Sequence, residues 1–343
     1  MAFAGRWYFY CYVKLNKNIK IFVNYFLGPL LFAWIAFSIY QQISRQEQLE
    51  SSWQQIKASF NSYKVIYLVI AVLLIPVNWG LEALKWKISV HHIHPIRYLH
   101  AFKAVLSGVS FSITLPNRVG EYAGRIMYMP EGNRLKTISV TVVGSMAQLL
   151  ITIIAGIIGL IVLKSKLLGS FEGLRIWYQF VLYGLVIAGL ITTIIYFNVS
   201  LVVKIFKRWI REERFIYLVD ALRLFNGAML LQLLLLSSIR YMIFITQYIL
   251  LFYLFEVNVD AATLMTAMSV VFLAMALIPS IALVEVGLRN EISIQLVGIF
   301  SANLLGISFT SVTIWFMNLI LPAIIGSILI LNLRVFNKKN GVH

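Results

Sequence analysis

Arg118, Glu121 and Arg125 fall at i, i+3 and i+7, so a helix beginning just after Pro116 would project all three from one face. Two guanidinium groups and one carboxylate form a patch with surplus positive charge, suited to a phosphate oxygen. Glu121 is also a carboxylate that could serve as a general base. The plainer reading is interfacial charge capping a loop. Pro116 suits the first turn of a helix, and Gly120 and Gly124 let a second backbone or a lipid headgroup come close. A related stretch, Pro279 to Glu291, supplies Glu285 and Arg289.

Two further charges lie inside apolar segments. Glu82 follows Asn78 by four residues, and a carboxylate at that depth needs a partner, for which Lys85 is the nearest choice. Arg240 sits near the middle of residues 228–255. A central Arg costs about 2.5 to 3.5 kcal/mol on insertion scales, so it must face the bundle or a cavity. A structural ion pair with Glu82 competes with a ligand-binding role for it.

These residues are carried by a chain of 343 residues that is 60% hydrophobic and 12% charged. Its apolar runs exceed the roughly 18 residues that cross a bilayer core, which makes it a polytopic all-α membrane protein. The formal charge of +16 comes from Lys and Arg clustered at the ends of apolar runs. That pattern points to the positive-inside rule and anionic lipids, not to nucleic acid. Cys11 is the only cysteine, so neither an intrachain disulfide nor a thiolate metal site is available. His91, His92, His94 and His100 lack nearby Asp, Glu or Cys and read as interfacial packing, so no metal or other cofactor is expected. The first twenty residues lack a small-residue cleavage site, so the first span itself directs insertion.

Six full crossings are expected, at 21–40, 65–84, 137–163, 177–199, 228–255 and 309–331. Residues 41–64 repeat Leu49, Trp53, Ile56, Phe60 and Tyr63 at helical spacing, giving an amphipathic helix that lies on the outer interface or caps the bundle. Residues 200–227 interleave six basic groups with apolar ones and read as a helix anchored on the inner leaflet. Two segments do not fit as crossings. The apolar stretch 104–115 is too short and has basic flanks on both sides, while 261–306 must begin and end outside. Each is therefore expected to be a re-entrant helical hairpin whose turn lines protein or a water-filled cavity. This topology places twenty-one of the 29 Lys and Arg residues in the cytoplasm, together with both termini. The units 65–163 and 228–331 then form an inverted repeat inside a single domain, 1–343, an arrangement used for alternating access.

Lys85-Trp86, the stretch Leu115 to Arg125 and the stretch Pro279 to Arg289 together resemble the lysylphosphatidylglycerol synthase transmembrane family, the flippase-like domain of the multiple peptide resistance factor. That family has an Arg-Trp after its second span, a Pro-Gly-Arg-x-Gly-Glu-x-x-Arg-like turn and a late Pro-Gly-Gly-x-Gly-like turn. Here Lys85 stands for the Arg, Asn117 for the Gly, and the last Arg is displaced to Arg125. The late turn departs most, with Ser280, Ile281 and Ala282 where glycines are usual.

The resemblance implies movement of an anionic or aminoacylated phospholipid, or of a polyprenyl-linked lipid, between leaflets of a bacterial plasma membrane. On that reading Arg118, Arg125, Arg240 and Arg289 receive the phosphate. Glu121 and Glu285 hold those arginines or meet a cationic headgroup, and Glu82 with Lys85 completes the lipid-binding set. No aminoacyl-transferase domain accompanies these segments, so aminoacylation by this chain is not expected. Direct ATP hydrolysis is not expected either, because the sequence has no phosphate-binding loop of the Walker type. A membrane glycosyltransferase with Glu121 as base and a non-transporting assembly protein stand as alternatives. A homo-oligomer is compatible with the sequence.

Overall fold

The computed structural model describes Phe37, Tyr40, Gln41, Ser44 and residues 49–114, 119–170, 173–199, 221–279 and 282–339. Among these, every regular element is helical: α1 (Leu49–Phe60), α2 (Val65–Val90), α3 (Tyr98–Thr114), α4 (Gly120–Ile126), α5 (Arg134–Ser170), α6 (Leu174–Phe197), α7 (Gly227–Leu254), α8 (Ala261–Leu277), α9 (Ala282–Val297), α10 (Leu304–Trp315) and α11 (Leu321–Lys339). Five helical segments, 65–90, 131–170, 176–197, 227–254 and 304–331, are long and apolar enough to cross a bilayer. They match five of the six expected crossings and make the chain a multi-pass membrane protein. The sixth, 21–40, lies outside the described residues apart from Phe37 and Tyr40. So does the basic helix expected over 200–227, up to the short 3₁₀ turn Ala221–Leu224 that holds Arg223.

Several boundaries differ from the sequence expectation. The second crossing was expected to end at Leu84, yet α2 continues to Val90 and keeps Lys85 and Trp86 inside the helix. Both side chains are buried because each has a partner: Trp86 Nε1 donates to Thr141 Oγ1 at 3.2 Å and Lys85 pairs with Glu82 at 2.7 Å. The last crossing starts at Leu304, not Phe309, because Asn303 caps α10 by accepting from the Gly306 N–H at 2.9 Å. In α1 the buried residues are Ser52, Ile56 and Ser59, while Trp53 and Phe60 flank them and stack on Phe309 and Phe255.

Helix α4 folds back along α3. Residues 120, 121, 124 and 128 meet residues 111, 108, 107 and 100 in turn, the descending order of an antiparallel hairpin. The two backbones touch, and a Cβ on Gly124 would lie 2.3 Å from the Gly108 nitrogen. Helices α8 and α9 form the second hairpin, broken at Ile278 and Pro279. Asp260 starts α8 by accepting from the Thr263 N–H at 2.8 Å.

The two hairpins pack across the molecule. Helix α3 lies on α11, where a Cβ on Gly326 would meet the Leu106 carbonyl at 2.0 Å and Ser110 Oγ donates to the Ala323 carbonyl at 2.6 Å. Helix α8 lies on α5, where a Cβ on Gly159 would meet the Thr266 carbonyl at 2.7 Å. The long helices α2 and α7 pack against each other at the centre. One end of that pair is tied by Lys64, whose Nζ meets both oxygens of Glu256 at 2.6 and 2.7 Å. Glu256 holds a left-handed backbone with φ of 60°, and Asn303 Nδ2 donates to its carbonyl at 3.1 Å. Helix α6 stands at the rim with Trp177, Phe180 and Ile187 exposed, as a lipid-facing helix should.

Candidate functional site

Glu82 gathers the charges that the sequence scatters over 158 positions. Its Oε1 accepts from Arg125 Nη2 at 2.9 Å, and its Oε2 accepts from Arg240 Nη1 at 2.9 Å and from Lys85 Nζ at 2.7 Å. Arg125 also donates from Nη2 to Glu121 Oε2 at 3.1 Å. The i, i+4 spacing on α4 puts Glu121 and Arg125 on one side of that helix. Arg118, the third member of the expected face, lies outside the described residues. Both Glu82 and Arg125 are buried, so each charge survives at depth only through the others.

A string of side-chain amides continues from this ionic core. Arg240 Nε donates to Asn78 Oδ1 at 2.9 Å, Asn78 Nδ2 donates to Asn318 Oδ1 at 3.2 Å, and Asn318 Nδ2 donates to Gln247 Oε1 at 3.1 Å. Gln247 ends it by donating to the Ala71 carbonyl at 2.8 Å. Asn318 stands in the π-helical turn Phe316–Ile320 between α10 and α11. That wider turn precedes Pro322, which has no N–H to continue an ordinary ladder. The guanidinium of Arg240 lies 5.2 Å over the Trp79 ring, a cation–π contact that lowers the cost of its depth.

A cavity of about 620 Å³ opens in front of this core. Glu121 and Arg240 line it, with Asn78, Trp79, Gln148 and Asn318. Glu285 and Arg289 of α9 line it as well, with Pro279 and Phe272. Arg289 pairs with Glu285 through Nη2, donates from Nη1 to Tyr248 Oη at 3.2 Å and stands 6.0 Å from the Phe244 ring centroid. Glu82, Lys85 and Arg125 are not on this wall; they stand behind it and hold Arg240 and Glu121.

Of the eight residues singled out from the sequence, four face the cavity and three form its backing. Asn318, Gln247 and Tyr248 were missed. Asn318 and Gln247 are amides within apolar runs, and Pro322 four residues after Asn318 was the available sign of irregular helix. At the periphery, the N–H groups at the start of α8, led by that of Thr263, hold the Asp260 carboxyl below its ordinary range. Among the described residues no group of His, Cys, Asp and Glu is arranged to hold a metal ion.

Among known proteins, the family described as the lysylphosphatidylglycerol synthase TM region matches residues 25–326. No curated protein matches the chain. The match spans both helix hairpins and the helices that carry the ionic core, so the chain belongs to the lysylphosphatidylglycerol synthase TM family.

Proposed function

We propose that this protein is a lipid translocase, in which the headgroup of a phosphate-bearing lipid enters the cavity between α2, α7 and the two hairpins while its chains stay in the bilayer. The observation that carries this reading is the pair Arg240 and Arg289 lining one cavity. Arg240 spends Nε on Asn78 and Nη1 on Glu82, and its Nη2 has no partner among the described residues. A guanidinium anchored at two points and open at the third is a rigid receptor for a phosphate oxygen.

The packing supports an inverted repeat of 65–163 and 228–331 within a single domain. The first hairpin sits on a helix of the second unit and the second hairpin on a helix of the first, with α2 and α7 paired between them. At 17 residues each, α3 and α8 fit re-entrant arms better than full crossings. The Lys and Arg distribution supports cytoplasmic termini. Arg97→Cys and Asp260→Cys, each in a Cys11→Ala background, should then label from opposite faces.

The function is tested by leaflet exchange of fluorescent phospholipids in proteoliposomes. Wild-type protein should accelerate exchange over protein-free vesicles. Arg240→Gln and Arg289→Gln should each slow it by about 10- to 150-fold, the equivalent of one charge-assisted contact. Full exchange in both variants would remove the cavity from the transport route.

A further inference from the structure

We infer that Gln247, which does not line the cavity, is a positioning residue that aims the Arg240 guanidinium at the lipid phosphate. The inference rests on the phosphate-receiving role of Arg240 proposed above and adds a residue to it.

The geometry is a pair of rungs between α2 and α7. Gln247 Nε2 donates to the Ala71 carbonyl at 2.8 Å, and Arg240 Nε donates to Asn78 Oδ1 at 2.9 Å. That order of pairing, 71 with 247 and 78 with 240, is antiparallel and separates the rungs by about two turns on each helix. Asn318, in the π-helical turn, joins the rungs by donating to Gln247 Oε1 at 3.1 Å and accepting from Asn78 Nδ2 at 3.2 Å. Pro76 lies between the rungs on α2 and deprives that helix of one backbone bond. The side-chain relay therefore spans the place where α2 is least stiff.

The direction of the relay is fixed at both ends. A backbone carbonyl can only accept, so Gln247 must turn Nε2 to Ala71 and Oε1 to Asn318. Asn318 must then donate with Nδ2, and the Ile314 carbonyl, 3.5 Å from the same nitrogen, adds weak support. This leaves Asn318 Oδ1 for Asn78 Nδ2, and Asn78 Oδ1 for Arg240. Arg240 Nε can only donate, so the far end agrees with the near one. A single reversed amide would set nitrogen against nitrogen and oxygen against oxygen. Gln247 is 0% exposed, and Asn78 and Asn318 are buried as well, so water does not repair a broken link.

With the Gln247 amide removed, nothing strong decides which end of the Asn318 and Asn78 amides faces Arg240. The guanidinium keeps Nη1 on Glu82 and can swing about that bond. Its third nitrogen then no longer meets a phosphate oxygen in one fixed place.

The test measures binding to the whole protein in detergent by native mass spectrometry, as the ratio of affinities for phosphatidylglycerol and for a neutral galactosyl-diacylglycerol with the same chains. This ratio reports the phosphate contact and is indifferent to how much of the protein is folded. Gln247→Met keeps the size of the side chain and removes both bonds. It should lower the ratio at least about tenfold, the effect of losing one charge-assisted contact, and should lower it no further in an Arg240→Gln background. Gln247→Asn, one carbon short of spanning both partners, carries the same comparison should the Met variant fail to fold. An unchanged ratio in the single variant, or an equal fall in both backgrounds, would overturn the positioning role and leave the translocase reading in place. A wild-type ratio near one would overturn the phosphate site itself and this inference with it.

Discussion

Arg240 donates from Nη1 to Oε2 of Glu82 at 2.9 Å, joining two side chains 158 positions apart in the sequence. Arg125 holds the other oxygen of the same carboxylate, so three cations depend on Glu82. Glu82→Gln would strand them together at depth. Breaking a buried pair this way costs about 3 to 5 kcal/mol, because a charge is left uncompensated. The Gln variant should show that loss in thermal unfolding in detergent, and adding Lys85→Met should recover a large part of it. A Gln variant as stable as wild type would mean that the cations do not depend on the Glu82 charge.

The backbone contact at Gly124 makes a steric prediction. Gly124→Ala puts a methyl group 2.3 Å from the Gly108 nitrogen, and overpacking of this kind costs about 1 to 3 kcal/mol. Because α4 carries Glu121 and Arg125, lipid exchange should fall along with stability. Gly184→Ala is the control: it meets nothing within 4 Å and should gain up to about 1 kcal/mol from helix propensity.

Glu121 separates transport from sugar transfer. Its carboxylate accepts from Arg125 at 3.1 Å, and Gln can accept the same bond. Glu121→Gln should therefore reduce lipid exchange only in part and leave binding near wild type. A general base would instead lose turnover by about 10²- to 10⁴-fold with binding intact. Parallel assays of lipid binding, leaflet exchange and sugar transfer on this variant decide between the two chemistries.

Asp260 gives a pH dependence whose sign is fixed. Its folded carboxyl titrates below its unfolded value, so its capping contribution is fully present above about pH 4 and is lost as pH falls through the lower folded value. Protection of the Thr263 amide from hydrogen exchange, taken relative to its intrinsic rate at each pH, should fall on acidification through that range. Asp260→Asn keeps a cap oxygen and should flatten the pH response, whereas Asp260→Ala should expose the amide at every pH.

The sequence makes the crossings legible because uninterrupted apolar runs and basic flanks are strong signals. It also makes Glu82, Lys85 and Arg240 conspicuous, since ionisable groups within such runs are costly. The pairing of Glu82 with Arg240 was foreseen as an alternative, but its sharing with Arg125 was not, because that contact depends on how far α4 folds back along α3. Asn318 escaped notice for a different reason. It stands in a π-helical turn and meets Asn78 and Gln247 of two other helices, pairings that sequence spacing does not reveal. Which charges face the cavity and which stand behind it follows from tertiary packing alone.

The seating of α3 on α11 also sets an order of biosynthesis. Ser110 bonds to a carbonyl 213 residues later in the chain, so the first hairpin leaves the ribosome long before the surface it rests on exists. At roughly 5 to 20 residues per second that interval is about 10 to 40 seconds. During it the groove over Leu106 and Ser110 must be shielded by the insertion machinery or by lipid. A nascent chain stalled before Gly326 is therefore a natural target for membrane quality control.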